Sequence, residues 1–554
     1  MFTESVSRRQ FLSAAAIGSA GVAAASVLGG CSPASPAATG AGDGASAVSG
    51  APSFLTAPEP IPAEDIVETF DTQVAIVGGG LAGCCVAASC LDEGLQVFMV
   101  EKAEEARAIG LDYGLINPSI IAEKGLEPVS VYEMARDHME KSCHMCRGDK
   151  TYRFMSRSGE AGDWWFNRVE PLGLEPQVIG MRSNSDHYKN NYVVELWHKG
   201  VNLATEPDCY APTAEIIASI HDEVNTAGTY MNNTEAVQLV TAEDGSITGV
   251  ICNTADGYIQ INASKGVVMC AGDYAADPEM LNHYTEWKYD AYSPEFFANY
   301  STGTGDGVKM GLWAGAKVQD APHPLMIFMA YAYSYLRVNK LGQRYVNEDS
   351  GYVGGGNAQL NQPEAISFAI WDDKWREELP AQLPYAGGMS WDQDFRLIDE
   401  PWDAEREEMG TWSWETEGGL LVQADTLEDL ADQLGMDAEA KATFLQTVER
   451  YNQLVDEGDC DFGKRPELMC KIQQAPFYGL KMVVEVALSV AGLETNADSE
   501  CINEEGKVIP GLFAVGNNAG GLFGVDYNEV TVPGISLGRN VTFGYLLGKH
   551  LASK

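Results

Sequence analysis

Basic residues are scarce in this chain. Lys and Arg number 36 against 79 Asp and Glu, a formal net charge of -43 over 554 residues. A nucleic-acid-binding surface needs a basic footprint, so that class of function is excluded. The same imbalance disfavours anionic lipid surfaces and does little to attract anionic substrates, though it favours solubility. Past the N-terminus no apolar run is long enough to span a bilayer. Paired cysteine motifs are also lacking. Among 12 cysteines the only CxxC is Cys143-His144-Met145-Cys146. It has no following histidine, which excludes a c-type haem site. One CxxC does not complete a four-ligand zinc or iron–sulfur site without distant help, so no ligand set is assigned and an iron–sulfur cluster using Cys143 and Cys146 stays open only as a minor alternative. Cys84, Cys85 and Cys90 share one helical segment and Cys270 lies in an apolar run, where small buried residues are expected. No internal repeat is evident.

The N-terminus carries Ser7-Arg8-Arg9-Gln10-Phe11-Leu12 and then a small-residue apolar run to Leu28. This pattern is that of a twin-arginine export signal, not a transmembrane helix. The run ends Leu28-Gly29-Gly30-Cys31, which resembles a lipoprotein box. Cys31 would then be the lipidated first residue of the mature protein, held outside the cytoplasmic membrane. The twin-arginine route carries folded proteins, so a cofactor would be loaded before export. Residues 32–65 are rich in Ala, Ser, Pro and Gly and are expected to form a flexible tether.

The chain is organised around Val74-Ala75-Ile76-Val77-Gly78-Gly79-Gly80-Leu81-Ala82-Gly83. A short apolar run meets a Gly-x-Gly-x-x-Gly turn. An alanine-rich helix follows, then a second apolar run, Val97 to Val100, ending at Glu101 and Lys102. This is the βαβ dinucleotide fingerprint in full context. Gly78 makes the tight turn, Gly80 lets the pyrophosphate reach the backbone, and Gly83 lets the helix lie close on the strand. The first helical turn, at Leu81 and Ala82, offers amide N–H groups and the positive end of the helix dipole to the phosphates. Glu101, about 20 residues on, is placed for the ribose hydroxyls.

Further along, the loop Ala108 to Asn117, with Gly110 and Gly114, could run beside a flavin ring. Residues 130–170 have the period of amphipathic helices, with Trp164, Trp165 and Phe166 expected in the core. Residues 235–272 alternate as a β-meander, closed by Val267-Val268-Met269-Cys270-Ala271-Gly272-Asp273. That Ala271-Gly272 turn resembles the second contact of two-dinucleotide-binding-domain flavoproteins. Near the C-terminus Gly511 to Gly516-Asn517 is another strand-to-glycine turn, and Gly534-Ile535-Ser536-Leu537 opens a final helix. A helix N-terminus at the flavin pyrimidine edge would stabilise the anionic reduced flavin. Three spaced elements aimed at one large cofactor favour FAD over NAD.

From about residue 70 to the C-terminus the chain resembles the fumarate reductase and succinate dehydrogenase flavoprotein family. The fingerprint with Glu101-Lys102, Ala314-Gly315-Ala316 to His323-Pro324, Gly342-Gln343-Arg344-Tyr345-Val346-Asn347-Glu348, and Gly511 to Gly516 carry the resemblance. It implies an α/β fold: a Rossmann-type FAD-binding domain, split as 66–320 and 476–554, with an inserted α+β capping domain at 321–475. It also implies hydride transfer from flavin N5 to one carbon of an activated C=C bond, with an acid protonating the other. No histidine stands in 103–120, so the family's covalent flavin linkage is not expected and FAD would be held non-covalently.

The departures point to the substrate. The family's proton-delivering arginine corresponds to Tyr352, four residues past Glu348. The relay glutamate and second arginine fall near Phe328 and Tyr331, and the clamping histidine near Leu488. The clamping arginine before the last helix has no match in Tyr527 to Thr531. A buried dianion must be paired, so losing these groups while adding tyrosines suits a bulkier, less charged substrate. Tyr331, Tyr333 and Tyr335 share one face if the run is extended. A tyrosine hydroxyl there could be the acid or could stabilise the enolate. Tyr333, Tyr331, Tyr352 and Tyr527 are the candidates. His323 is a candidate to orient substrate, and Arg344 either takes part in the site or forms an ion pair with Glu348. The run at 517–527 resembles flavoprotein reductases of anaerobic gut bacteria, including those that saturate the unsaturated lactone of cardiac glycosides.

The reading is a C=C reductase fed by an external electron donor, such as a membrane-associated cytochrome. Two alternatives stay open: a dehydrogenase of ketosteroid type running the reverse reaction, and a tethered electron-transfer or ligand-binding flavoprotein.

Overall fold

The computed structural model describes residues 51–179, 192–201, 210–285, 301–329, 334–383, 396–412, 419–482, 484–527 and 531–554. The export signal, Cys31, Tyr331 and Tyr333 lie outside the described residues. Of Tyr352 only the backbone is described.

The fingerprint folds as its pattern dictates. Strand β1 (Ile66–Val77) ends in four buried residues, and β2 (Val97–Val100) is buried throughout. Such continuous apolar runs suit parallel strands covered on both faces. Helix α1 (Leu81–Asp92) crosses between them. Helices α2 (Val131–Lys141) and α3 (Gly148–Val169) follow, the amphipathic pair expected from their period. Trp165 and Phe166 are buried in the core, while Trp164 sits at its edge and donates to Asp92. After α4 (Ala211–Ala227), β3 (Thr229–Met231) extends the parallel sheet beside β2. Strands β4 (Glu235–Thr241), β5 (Ile247–Thr254) and β6 (Gly257–Met269) form the meander and return to β1. Helix α5 (Asp306–Trp313) precedes the cap.

The cap opens with β7 (Leu325–Met329) and β8 (Leu336–Asn339), followed by α6 (Gly351–Leu360) and β9 (Ser367–Asp372). Strand β10 (Leu421–Ala424), helix α7 (Ala438–Glu457) and β11 (Phe477–Met482) complete it. The small antiparallel sheet has the order β8-β9-β11-β10. It carries its own core, in which Leu336, Val338, Phe368 and Ile370 meet Phe444, Val448 and Leu454 of α7. Each such side chain is worth about 1.5–3 kcal/mol on burial. Strand β11 lies in this sheet, past the cap end expected at 475. Strand β12 (Val484–Ser489) then pairs with β7, and this ladder joins the cap to the FAD-binding domain.

The chain returns through β13 (Glu500–Ile502) and β14 (Val508–Ala514) and ends in α8 (Ile535–Ser553). The large sheet has the order β13-β14-β6-β1-β2-β3, with β5 on β6 and β4 on β5. Helices α8 and α1 pack where Gly544 and Gly548 meet Cys85 and Ser89; the helices approach too closely there for a Cβ.

One expectation is corrected. The tether does not run free to residue 65. Phe54 is buried against His283 and Tyr284, its carbonyl accepts from the Trp313 indole, and Ser53 donates to Glu279. An aromatic residue with a prepared apolar seat overrides the disorder that its Pro- and Ser-rich surroundings suggest.

Candidate active site

Three parallel strands end in line. Val77 of β1 pairs with Met269 of β6, and Met269 with Ala514 of β14. The turns 78–83, 270–273 and 516–518 therefore leave from one edge of the sheet, at the carboxyl ends of its strands, where ligands bind in such folds.

Each turn is built by close approach. Gly78 has φ +108°, and a Cβ there would strike the Cys270 carbonyl. At Gly83 a Cβ would strike the Gly78 carbonyl. Gly80 is different: a Cβ would meet nothing within 4 Å. It caps the N-terminus of α1 and leaves room over the free amides of the first turn, at Leu81 and Ala82. A Cβ on Gly516 would lie 2.8 Å from that of Ala82, so the third turn lands on the first. Glu101 accepts the Gly79 and Ala103 amides at 2.9 and 3.0 Å. Lys102 pairs with Asp306 at 2.8 Å, farther out.

A second cluster lies at the start of α8. The Gly114 amide donates to the Gly534 carbonyl at 2.9 Å. Gly110 lies against the Leu537 side chain and Gly114 against the Ile535 amide, so the 108–117 loop runs along the start of α8. Gly534 caps that helix with φ +71°, and Ser536 is buried in its first turn.

Asn518, which the sequence pattern did not single out, ties the turns together. Its carbonyl accepts the Ala271 amide at 2.6 Å and its amide donates to the Gly272 carbonyl at 2.7 Å. His221 was also missed; it contacts the Gly79 carbonyl at 2.7 Å and stacks on Tyr230. Both act through contacts more than a hundred residues away in sequence, which no local pattern reveals.

Asp273 is buried where the second turn meets β12. It accepts from the Ala275 amide at 2.7 Å, from Ser301 at 2.9 and 3.0 Å, and from the Ser489 amide at 3.3 Å. Burial pushes its carboxyl up to about 6 despite these bonds. Next to it Tyr274 donates to His323 Nδ1 at 2.6 Å, and His323 Nε2 donates to the Gln319 carbonyl at 2.6 Å. His323 also stacks on Tyr284, and burial lowers it to about 4, so it is neutral at neutral pH. Both of its ring nitrogens are thus committed inside the protein.

Arg344 is not in either glycine cluster. It forks onto Glu348 at 2.7 and 2.9 Å and onto Asp459 at 2.8 and 3.1 Å, inside the cap. Tyr527 is buried with its ring edge-on to Phe523. Cys143 and Cys146 are free thiols in the turn between α2 and α3. Among the described residues no three His, Cys, Asp or Glu side chains are arranged to hold a metal ion.

A long, two-ended cradle with open space over a helix N-terminus fits a large dinucleotide cofactor. The model of the FAD binding domain family matches residues 73–528. The chain belongs to that family. Vinyl phenol reductase of Lactiplantibacillus plantarum is 26% identical over 87% of this chain and 96% of its own. The probable fumarate reductase Ifc3 of Shewanella frigidimarina is 28% identical over 87% of this chain and 75% of its own. The open conformation of a flavocytochrome c3 fumarate reductase superposes with a TM-score of 0.63 at 22% identity, over 89% of this chain and 79% of that one. The protein is an FAD-dependent oxidoreductase with the Rossmann-type fold of that group. FAD would be held by the glycine turns at 78–83, 271–273 and 516–517 and by the start of α8.

Proposed function

We propose that this FAD enzyme reduces an activated C=C bond in a bulky, weakly charged molecule: an enone, an acrylate-like or vinyl group, or an unsaturated lactone of the cardenolide kind. Relatives named for vinyl phenol and fumarate reduction support the reaction class. One observation carries the choice of substrate. Near the position expected for the family's clamping histidine, this chain presents Leu488, on β12 at the junction of cap and FAD-binding domain, paired with Met326. Cations buried in the cap are held by the protein itself. Arg344 is consumed by Glu348 and Asp459, and Lys464 is fully buried beside Glu348 and Tyr451. Arg337, also in the cap, is buried as well. An apolar junction of this kind favours a neutral substrate, because an unpaired dianion there would carry its full desolvation cost.

Bound FAD supplies the hydride from N5. The chain has to hold the substrate, exclude water and deliver one proton to the other carbon. Tyr352, in the first turn of α6, stands four residues past Glu348 and is the leading described candidate for the acid. Tyr333, Tyr331 and Tyr527 are the others. Electrons come from an external donor, a membrane-associated cytochrome, to an exported enzyme anchored at Cys31 with non-covalent FAD.

The test is turnover of viologen-reduced enzyme with an unsaturated lactone, comparing Tyr352→Phe and Tyr333→Phe. Loss of the acid lowers turnover by about 10²–10⁴-fold while dithionite still reduces the flavin. Normal turnover in both variants removes these two tyrosines from the mechanism.

A further inference from the structure

Arg539 sits on the second turn of α8, just beyond the residues that open the helix beside the 108–117 loop. It is 2% exposed. One Nη donates to the Asn517 side-chain carbonyl and the other to the Val490 carbonyl at 3.3 Å. Its guanidinium carbon lies over the Phe523 ring at 4.9 Å. Its Nε has no hydrogen-bond partner. Among the described residues no carboxylate forms an ion pair with it. Asp273 and Tyr527 are the acidic groups that bear on it electrostatically, and Asp273 spends its own bonds on Ala275, Ser301 and Ser489. Arg344 shows the contrast, since its comparable burial is matched by two carboxylates. Among the described residues its hydrogen-bond acceptors are neutral, and a buried guanidinium so placed is expected to have a counter-charge from elsewhere.

The neighbours of Arg539 indicate where that charge comes from. Asn517 belongs to the third glycine turn. Its side-chain carbonyl is taken by Arg539. Two-electron, one-proton reduction of a flavin leaves one negative charge on its pyrimidine side. Resting on the FAD reading above, we infer that Arg539 is the buried counter-charge that stabilises the reduced flavin and raises its reduction potential. It acts as a positioning residue through Asn517 and through its field, which is weakly screened in the interior. Burial pushes the guanidinium down to about 10, so it stays protonated at neutral pH. A raised potential suits an enzyme whose flavin must be filled by an external donor before substrate arrives.

The experiment is the flavin midpoint potential of the holoenzyme and of Arg539→Lys and Arg539→Met, with FAD affinity measured alongside. Arg539→Met is expected to lower the reduced-to-oxidised ratio at fixed ambient potential by roughly tenfold or more, about 30 mV for a two-electron couple. Arg539→Lys is expected to keep most of the wild-type potential. An unchanged potential in Arg539→Met overturns the inference. So does a loss confined to FAD affinity, which would assign the charge to the pyrophosphate. If Arg539→Met does not fold, sulfite titration of the wild type and Arg539→Lys decides. Sulfite adds to flavin N5 and places the same negative charge on the pyrimidine side. A tight adduct in both supports the counter-charge, and no adduct in the wild type overturns it. Reoxidation of Arg539→Met by an enone at unchanged potential would leave the reductase reading standing and sink only this inference.

Discussion

At Gly80 a side chain would point into open space, while at Gly83 it would strike the Gly78 carbonyl. The two glycines therefore fail in different ways when replaced. Gly80→Val is expected to fold with a near-normal unfolding midpoint yet to lose at least about tenfold in FAD affinity, since its branched chain occupies the pyrophosphate approach. Gly83→Ala is expected to destabilise the fold by about 1–3 kcal/mol through overpacking. Apo-protein melting together with FAD titration separates the two outcomes. Lys150 gives a second residue-scale test. It is buried, donates to Thr495 and to the Gly520 carbonyl at 2.7 Å, and burial lowers it from 10.5 to about 7. Its contribution to stability is fully present above 10.5, where the amine is neutral folded and unfolded alike. That contribution is lost as pH falls through this range to about 7. Lys150→Met is therefore expected to flatten the fall in unfolding midpoint between pH 9.5 and pH 7. An identical slope in both proteins would mean that Lys150 stays charged in the folded state.

Among the elements, the cap depends on one buried charge cluster. Arg344 is 6% exposed at its side chain, and Glu348 and Asp459 are fully buried there. Breaking such a cluster from one side leaves uncompensated charge and costs about 3–5 kcal/mol. Arg344→Met is expected to show that loss in denaturant unfolding of the cap, with the flavin spectrum unchanged. Normal stability with lost turnover would instead make Arg344 part of the chemistry. Helix α6 offers a companion test. A Cβ on Gly355 would collide with the Arg337 guanidinium, so Gly355→Ala is expected to lower the unfolding midpoint despite alanine's better helix propensity. The elements also divide by how far they were legible in the sequence. Strand β1, helix α1 and the β4-β5-β6 meander were readable because their signals are local: a glycine spacing and a period of two. Strand β11 was not, because its place in the cap depends on pairing with β9 more than a hundred residues earlier, Trp371 opposite Tyr478.

For the whole molecule, the cofactor cradle was legible and its support was not. Gly78, Gly80, Gly83, Gly272 and Gly516 announce themselves by spacing, and the structure brings their turns to one sheet edge. Asn518, His221 and Arg539 stand in unremarkable contexts and matter through partners elsewhere in the chain. The same non-locality hides the proposed substrate side, where cap and FAD-binding domain meet along β7 and β12. On the reading proposed above, the side chains at that junction favour a weakly charged substrate over a dicarboxylate. The most direct test is anaerobic reoxidation of the reduced flavin by a panel of fumarate, urocanate, a cinnamate, a vinyl phenol and an unsaturated steroid lactone. Fast reoxidation by an uncharged or weakly charged acceptor, with fumarate inert, is the result expected of a junction without a clamp. Fast reoxidation by fumarate would contradict it and return the protein to the dicarboxylate reductases.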